Sequence, residues 1–278
     1  MPQADREDSF PEIVEITEIL RSHGAPYQHI TPWQGKQRHR SYRIDDARGH
    51  PWGWVKIEQQ TSPFAGVAIE ADVLMQMEHF KIAPVLVASG HLASGCAFII
   101  TRHVDGDLAG TLTASEFSSP VLQTLAVLHA AKVSFPCYAG EHLFSSKPNL
   151  PHILDEAYDD AGLLSPKFGY GLVSAPPGRT NSPIHGSLAL DNIVITGNHA
   201  VLLDWEAARI GYPAFDLACL AGDLAEEGRS EEAQAWRAAI ANCCGEYAPG
   251  VQDEIDMWLA IRSAHQTVSK ATRQNSGY

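Results

Sequence analysis

The segment Ile184–Leu217, IHGSLALDNIVITGNHAVLLDWEAARIGYPAFDL, decides how the rest of the chain is read. Two short apolar runs, Ile193–Ile195 and Ala200–Leu203, flank the pair Gly197-Asn198, so the centre of the segment reads as a β-hairpin. Asn192 stands just before the first strand and Asp204 just after the second. An amide oxygen and a carboxylate flanking a hairpin are hard oxygen donors of the kind magnesium prefers. His185-Gly186 lies upstream and Asp216 downstream. A lone histidine in such a place is expected to pack and hydrogen-bond behind a loop.

Working outward from this segment, the N-terminal part is strand-rich. Glu12–Ser22 places apolar residues at helical spacing, and His23-Gly24 ends the run. Strands are expected at Tyr27–Ile30, Ser41–Ile44, Gly53–Ile57, Pro84–Val87 and Cys96–Ile100, with Gly35 and Arg48-Gly49 in turns. Ala65–Phe80 reads as an amphipathic helix whose core contacts are Val67, Val73, Leu74 and Met77. After Arg102 the character changes. A helix is expected over Pro120–Ala131 with proline at its start, and two or three more follow the hairpin. Pro148–Gly178 is rich in proline and glycine and fits no element.

Composition excludes several classes. The chain has 278 residues, 45% of them hydrophobic, which is enough for two lobes and unlike a disordered protein. Lys and Arg total 20 against 33 Asp and Glu, and a net charge of −13 argues against nucleic acid as a partner. No apolar run reaches the roughly 20 residues of a membrane span, and the acidic start MPQADREDSF lacks the features of a secretory signal, so a soluble, cytoplasmic protein without membrane partners is expected. Five cysteines without a CxxC pair suggest reduced, mostly buried thiols. The charge is uneven. The stretch GKQRHRSYR at Gly35–Arg43 carries Lys36, Arg38, Arg40 and Arg43 and no acid, whereas Asp204–Asp256 holds twelve acids and three bases. That contrast suits an anionic ligand on one side and a cationic one on the other, or simply a solvated surface.

The elements HGSLALDN, LLDWE and GYPAFDLA, in that order and spacing, resemble the catalytic segment of aminoglycoside phosphotransferases, choline kinases and related small-molecule kinases. The resemblance implies a bilobal, protein-kinase-like α+β fold. Residues 1–103 would form a nucleotide-binding lobe with an antiparallel sheet and a helix, and 104–278 a mostly helical lobe with the catalytic loop and substrate site. It implies ATP or GTP and Mg2+ as cofactors, with Asn192 and Asp204 as metal ligands and Asp216 and His185 as structural supports. Trp54-Val55-Lys56-Ile57 resembles the strand whose lysine contacts the nucleotide phosphates, and Ala68-Ile69-Glu70-Ala71 the helix whose glutamate pairs with it. Ile99–His103, with Ile100 and Arg102, would be the hinge that meets the base. The family's Gly-rich loop is reduced to Gly35, and the cations around it could contact phosphate directly.

One position departs from the pattern. Where the family carries its catalytic Asp, this chain has Ser187. A serine hydroxyl is a poor proton acceptor, and losing a positioned general base typically costs about 10²–10⁴ in rate. Asp191 is a nearby carboxylate that would have to reach across the loop to compensate. Three explanations stay open: an inactivating substitution, an active kinase that uses another group or the substrate itself, and a pseudokinase that binds nucleotide and supports a partner enzyme. The expected activity is phosphoryl transfer to a hydroxyl of a small molecule, aminated natural products included, or of a Ser/Thr peptide. Asp105, Asp107, Glu206, Asp223, Glu226 and Glu227 are candidates for receiving an amine, or plain surface acids.

Overall fold

The computed structural model describes residues 11–33, 39–58, 66–135, 182–211, 213–243, 250–256 and 258–260. Gly35, most of the basic stretch around it and the segment Pro148–Gly178 lie outside them. The chain divides into two compact units, Met1–Asp105 and Gly106–Tyr278, and its fold is the protein-kinase-like α+β fold.

In the first unit, five antiparallel strands form one sheet: β1 (Tyr27–Trp33), β2 (Arg40–Asp46), β3 (Pro51–Ile57), β4 (Leu86–His91) and β5 (Ala97–Arg102), in the order β1-β2-β3-β5-β4. Helix α1 (Pro11–Ser22) covers one face. Its Ile16 and Leu20 join Ile44, Val55, Ile57 and Ile100 in a core where all six are fully buried. Side chains alternate across a strand, so with Val55 in that core Lys56 points to the opposite face, where α2 (Gly66–Met77) contacts β4 and β5. Val67, Val73, Leu74 and Met77 are the buried stripe of α2, as their spacing requires. Two cations of the basic stretch are neutralised locally: Arg40 binds Glu12 of α1 at 2.5 Å, and Arg43 binds Asp45 at 2.9 Å.

The second unit contains strands β6 (Asp107–Leu108), β7 (Ser182–Ile184), β8 (Ile193–Thr196), β9 (His199–Leu202) and β10 (Arg209–Gly211). They form a three-stranded sheet, β6-β8-β9, and a β7-β10 pair. Its described helices are α3 (Ala114–Ala130), α4 (Pro213–Glu226) and α5 (Ser230–Asn242), with further helical residues at 251–256. Phe117, Leu125, Leu202, Trp205, Leu217 and Trp236 fill the core, each fully buried. Thr124 ties α3 to the hairpin, its hydroxyl donating to the Ala200 carbonyl at 3.0 Å and accepting from the Ala200 amide at 3.2 Å.

The structure corrects the start of α3. Proline does not open it. The helix begins at Ala114 because Thr113 and Glu116 form a capping box, the Thr113 amide donating to Glu116 Oε2 at 2.7 Å. Pro120 therefore sits inside the helix, where it forfeits one backbone bond. Among the described cysteines, Cys96 is buried, while Cys219 and Cys243 are only partly so. No helix among the described residues is long and apolar enough to cross a membrane.

Candidate functional site

Two acids of one helix accept backbone amides of the loop from His185 to Asn192. Asp216, in the first turn of α4, is fully buried and accepts the amides of His185 at 2.8 Å and Gly186 at 2.9 Å. Asp223 accepts the amide of Leu190 at 2.8 Å. Seven residues separate the two acids, two helical turns, so both lie on one face of α4 and grip successive parts of the loop. His129 of α3 approaches Asp216 at 3.2 Å and completes the buried cluster. The imidazole of His185 lies 4.8 Å from the Trp205 ring, and its Nε2–H donates to the Leu203 carbonyl at 2.8 Å. This is the supporting geometry expected of His185 and Asp216. The parts played by Asp223 and His129 were not legible in the sequence, although the seven-residue spacing of Asp216 and Asp223 was a signal for one of them.

Gly186 is required twice. Its φ is +81°, in the left-handed region, and a Cβ there would stand 2.2 Å from the Ala207 carbonyl oxygen and 2.8 Å from Arg209 Nη1. Backbone and arginine together close that side of the loop.

Burial tends to raise the Asp216 carboxyl, but the hydrogen bond and charge of His129, the attraction of His185 and the Gly186 amide outweigh it and hold the group below its ordinary value. Burial pushes the His185 imidazole below its ordinary 6.5, against the pull of Asp216. With the folded value depressed, the unfolded chain takes up this proton first as pH falls, so stability is lost from about pH 6.5 downward. Urea unfolding at pH 7.5 and 5.5 is expected to show His185→Gln losing less stability across this interval than the parent chain. Equal losses would mean that His185 does not titrate in this way.

Ser187 and Asn192 meet: the Asn192 amide Nδ2 donates to the Ser187 carbonyl at 3.2 Å. The Ser187 hydroxyl oxygen is itself buried and without a hydrogen-bond partner. The Asn192 carbonyl accepts the Leu203 amide at 2.8 Å, directly beyond the last hairpin pair Ile193–Leu202. Asn192 and Asp204 thus stand at the same end of the hairpin. Asp204 has φ +64° and ψ +66°, a left-handed conformation that costs a non-glycine residue of order 1–3 kcal/mol and tends to mark functional positions. Asp191 turns elsewhere, its Oδ1 lying 3.5 Å from the place a Cβ on Gly110 would occupy.

In the first unit, Lys56 Nζ pairs with Glu70 Oε2 at 2.6 Å, with the side chains 18% and 5% exposed. The structure joins these two residues. The residues expected to meet the base, Ile100 and Arg102, lie at the end of β5. β5 runs on through Arg102, two residues beyond the expected strand, and Ile100 within it is a fully buried core residue. The Arg102 amide donates to the Val85 carbonyl at 2.9 Å, and its guanidinium stacks on Trp52 at 4.4 Å. Among the described residues, no group of three or more His, Cys, Asp or Glu could hold a metal ion. One carboxylate and one amide do suit Mg2+, which usually takes only one or two protein carboxylates and completes its shell with water and substrate phosphates.

A family model described as the phosphotransferase enzyme family matches residues 29–250. No curated protein sequence matches the chain. Among solved structures, the choline kinase LicA from Streptococcus pneumoniae superposes with a TM-score of 0.60 at 11% identity, over 97% of this chain and 93% of that one. The aminoglycoside phosphotransferase of Streptomyces rimosus, solved with ADP and streptomycin, gives 0.57 at 17% identity, over 91% and 98%. Amicoumacin kinase hAmiN, solved with AMP-PNP and Ca2+, gives 0.57 at 12% identity, over 92% and 87%. At these identities the likeness shows the fold.

Proposed function

We infer the activity from a plain premise: this chain belongs to the phosphotransferase enzyme family. We propose that it moves the terminal phosphoryl group of ATP, or of GTP, to a hydroxyl of a small molecule or of a Ser/Thr peptide. The observation that carries the proposal is the Lys56–Glu70 ion pair, which fixes an ammonium near the C-terminal end of β3 as related kinases require. A half-buried lysine held by a glutamate is a preset cation for phosphate oxygens. Asn192 and Asp204 would hold the metal, which when bound neutralises charge on the phosphates. The α4 acids keep the loop carrying Ser187 and Asn192 in place, and that positioning is most of what phosphoryl transfer asks of a protein.

The test is nucleotide-dependent stabilisation. Mg-ATP or Mg-GTP at about 100 times its Kd is expected to stabilise the fold by about 2.7 kcal/mol, visible as a rise in Tm. Chelating the metal with EDTA should abolish the rise, and Lys56→Met should remove most of it. A Tm indifferent to every nucleotide would overturn the proposal.

Ser187 favours a second possibility, a pseudokinase that binds nucleotide without turnover. It predicts the same Tm rise with no ADP formed in the presence of any acceptor. ADP release that depends on an acceptor excludes it.

A further inference from the structure

Resting on the phosphotransferase proposal, we propose that the side chains of His103 and Asp105 choose the nucleotide. They take guanine in preference to adenine, so that GTP is the phosphoryl donor.

Two backbone amides at the end of β5 are already spent inside the first unit. Arg102 gives its amide to the Val85 carbonyl at 2.9 Å, and His103 gives its own to the Trp52 carbonyl at 3.0 Å. Neither is left to meet a base edge. The side chains just beyond are differently placed. Trp54 Nε1–H donates to His103 Nδ1 at 3.2 Å. An indole nitrogen can only donate, so Nδ1 is an acceptor and the imidazole carries its N–H on Nε2. That nitrogen lies 3.6 Å from Asp105 Oδ1, beyond hydrogen-bond reach, and the Asp105 side chain is 99% exposed. One donor and two carboxylate oxygens thus stand open side by side.

The surface beside them suits a flat ring. Trp33, 49% exposed, meets Trp54 edge to face with ring centroids 5.2 Å apart. Trp54 and Lys56 are alternate residues of β3, so they share a face of the sheet about 7 Å apart along the strand. A base at Trp54 and phosphates at Lys56 then belong to one nucleotide lying along that face.

Hydrogen-bond matching selects the base. Guanine presents an acceptor, O6, beside two donors, N1–H and the N2 amino group. His103 Nε2–H matches O6, and the two oxygens of Asp105 match the donors in a charge-assisted pair. Adenine presents N1 as acceptor and a single N6 amino group, so one carboxylate oxygen gains nothing from it. At an exposed carboxylate the additional bond is expected to be worth about tenfold in affinity.

Calorimetric titration of the full chain with Mg-GTP, Mg-ITP and Mg-ATP tests this on binding alone, whether or not the chain turns over. Kd for GTP is expected about tenfold below that for ATP, with ITP, which lacks the N2 amino group, between them. Asp105→Ala should bring the three values together. Asp105→Asn should transfer the preference to XTP, because an amide's acceptor and donor complement the N1–H and O2 of xanthine. The side chain is solvent-exposed, so neither variant should disturb folding, and a purely structural role for Asp105 would not move base selectivity. Three results would each overturn the inference and leave the phosphotransferase proposal standing: ATP binding as tightly as GTP, a GTP preference that survives Asp105→Ala, or no gain for XTP in Asp105→Asn. Failure of the parent chain to bind any of these nucleotides removes both proposals together.

Discussion

Asp216→Ala is expected to cost about 3–5 kcal/mol of unfolding free energy, the range for breaking a buried charge cluster by removing one partner. Asp216 has no solvent exposure and satisfies the amides of His185 and Gly186 while pairing with His129. Alanine leaves two amides without their acceptor and His129 without its anion, each a desolvation penalty with nothing to offset it. Asp216→Asn keeps the size and one acceptor oxygen and should lose less. Acid should act in the same direction. The folded carboxyl lies below its ordinary 3.8, so its stabilisation is complete above that value and is lost as pH falls through the folded value. Urea denaturation measures both effects. A loss under about 1 kcal/mol for the alanine variant would mean that the loop is held by something other than α4.

Ser187→Asp is expected to raise transfer to neutral alcohols by about 10²–10⁴, the usual worth of a positioned general base. The neighbourhood is prepared for it. The Asn192 amide fixes the Ser187 carbonyl, and α4 fixes the amides on either side. The Ser187 hydroxyl oxygen is buried without a hydrogen-bond partner, so an ionised carboxylate in the same position would carry a heavy desolvation penalty. Turning outward toward solvent avoids that penalty and is the orientation a base toward an acceptor needs. ADP release with mixed neutral alcohols reads the effect. No gain, with Mg-ATP still raising Tm, would mean that the chain lacks more than its base.

How much of the site was legible can be judged residue by residue. The Gly197-Asn198 turn was enough to place Asn192 and Asp204 at one end of a hairpin, since turn chemistry and antiparallel pairing act over a few residues. Lys56 and Glu70 were recognisable because a strand and the helix after it repeat a known local pattern. Pro120 misled because proline most often opens a helix, and it outweighed the Thr113-x-x-Glu116 box that sets the true start. The strand expected at Cys96–Ile100 stopped two residues short because sequence patterns mark strand ends poorly, and pairing with β3 and β4 carries it to Arg102.

By itself the sequence determined which chemical groups this protein possesses: the hairpin donors, the lysine and its glutamate, the loop supports, and a serine in place of the family's acid. These follow from periodicity, turns and motif spacing, all of which are written in neighbouring residues. Only the tertiary structure decided which distant groups meet. Asp223 reaches the loop from 33 residues away and His129 reaches Asp216 across 87, and both contacts depend on how separate helices pack. The same packing sets Arg209 against Gly186 and turns the Ser187 hydroxyl inward. A buried polar group must find its partner wherever the fold supplies one, and that choice has no local signature.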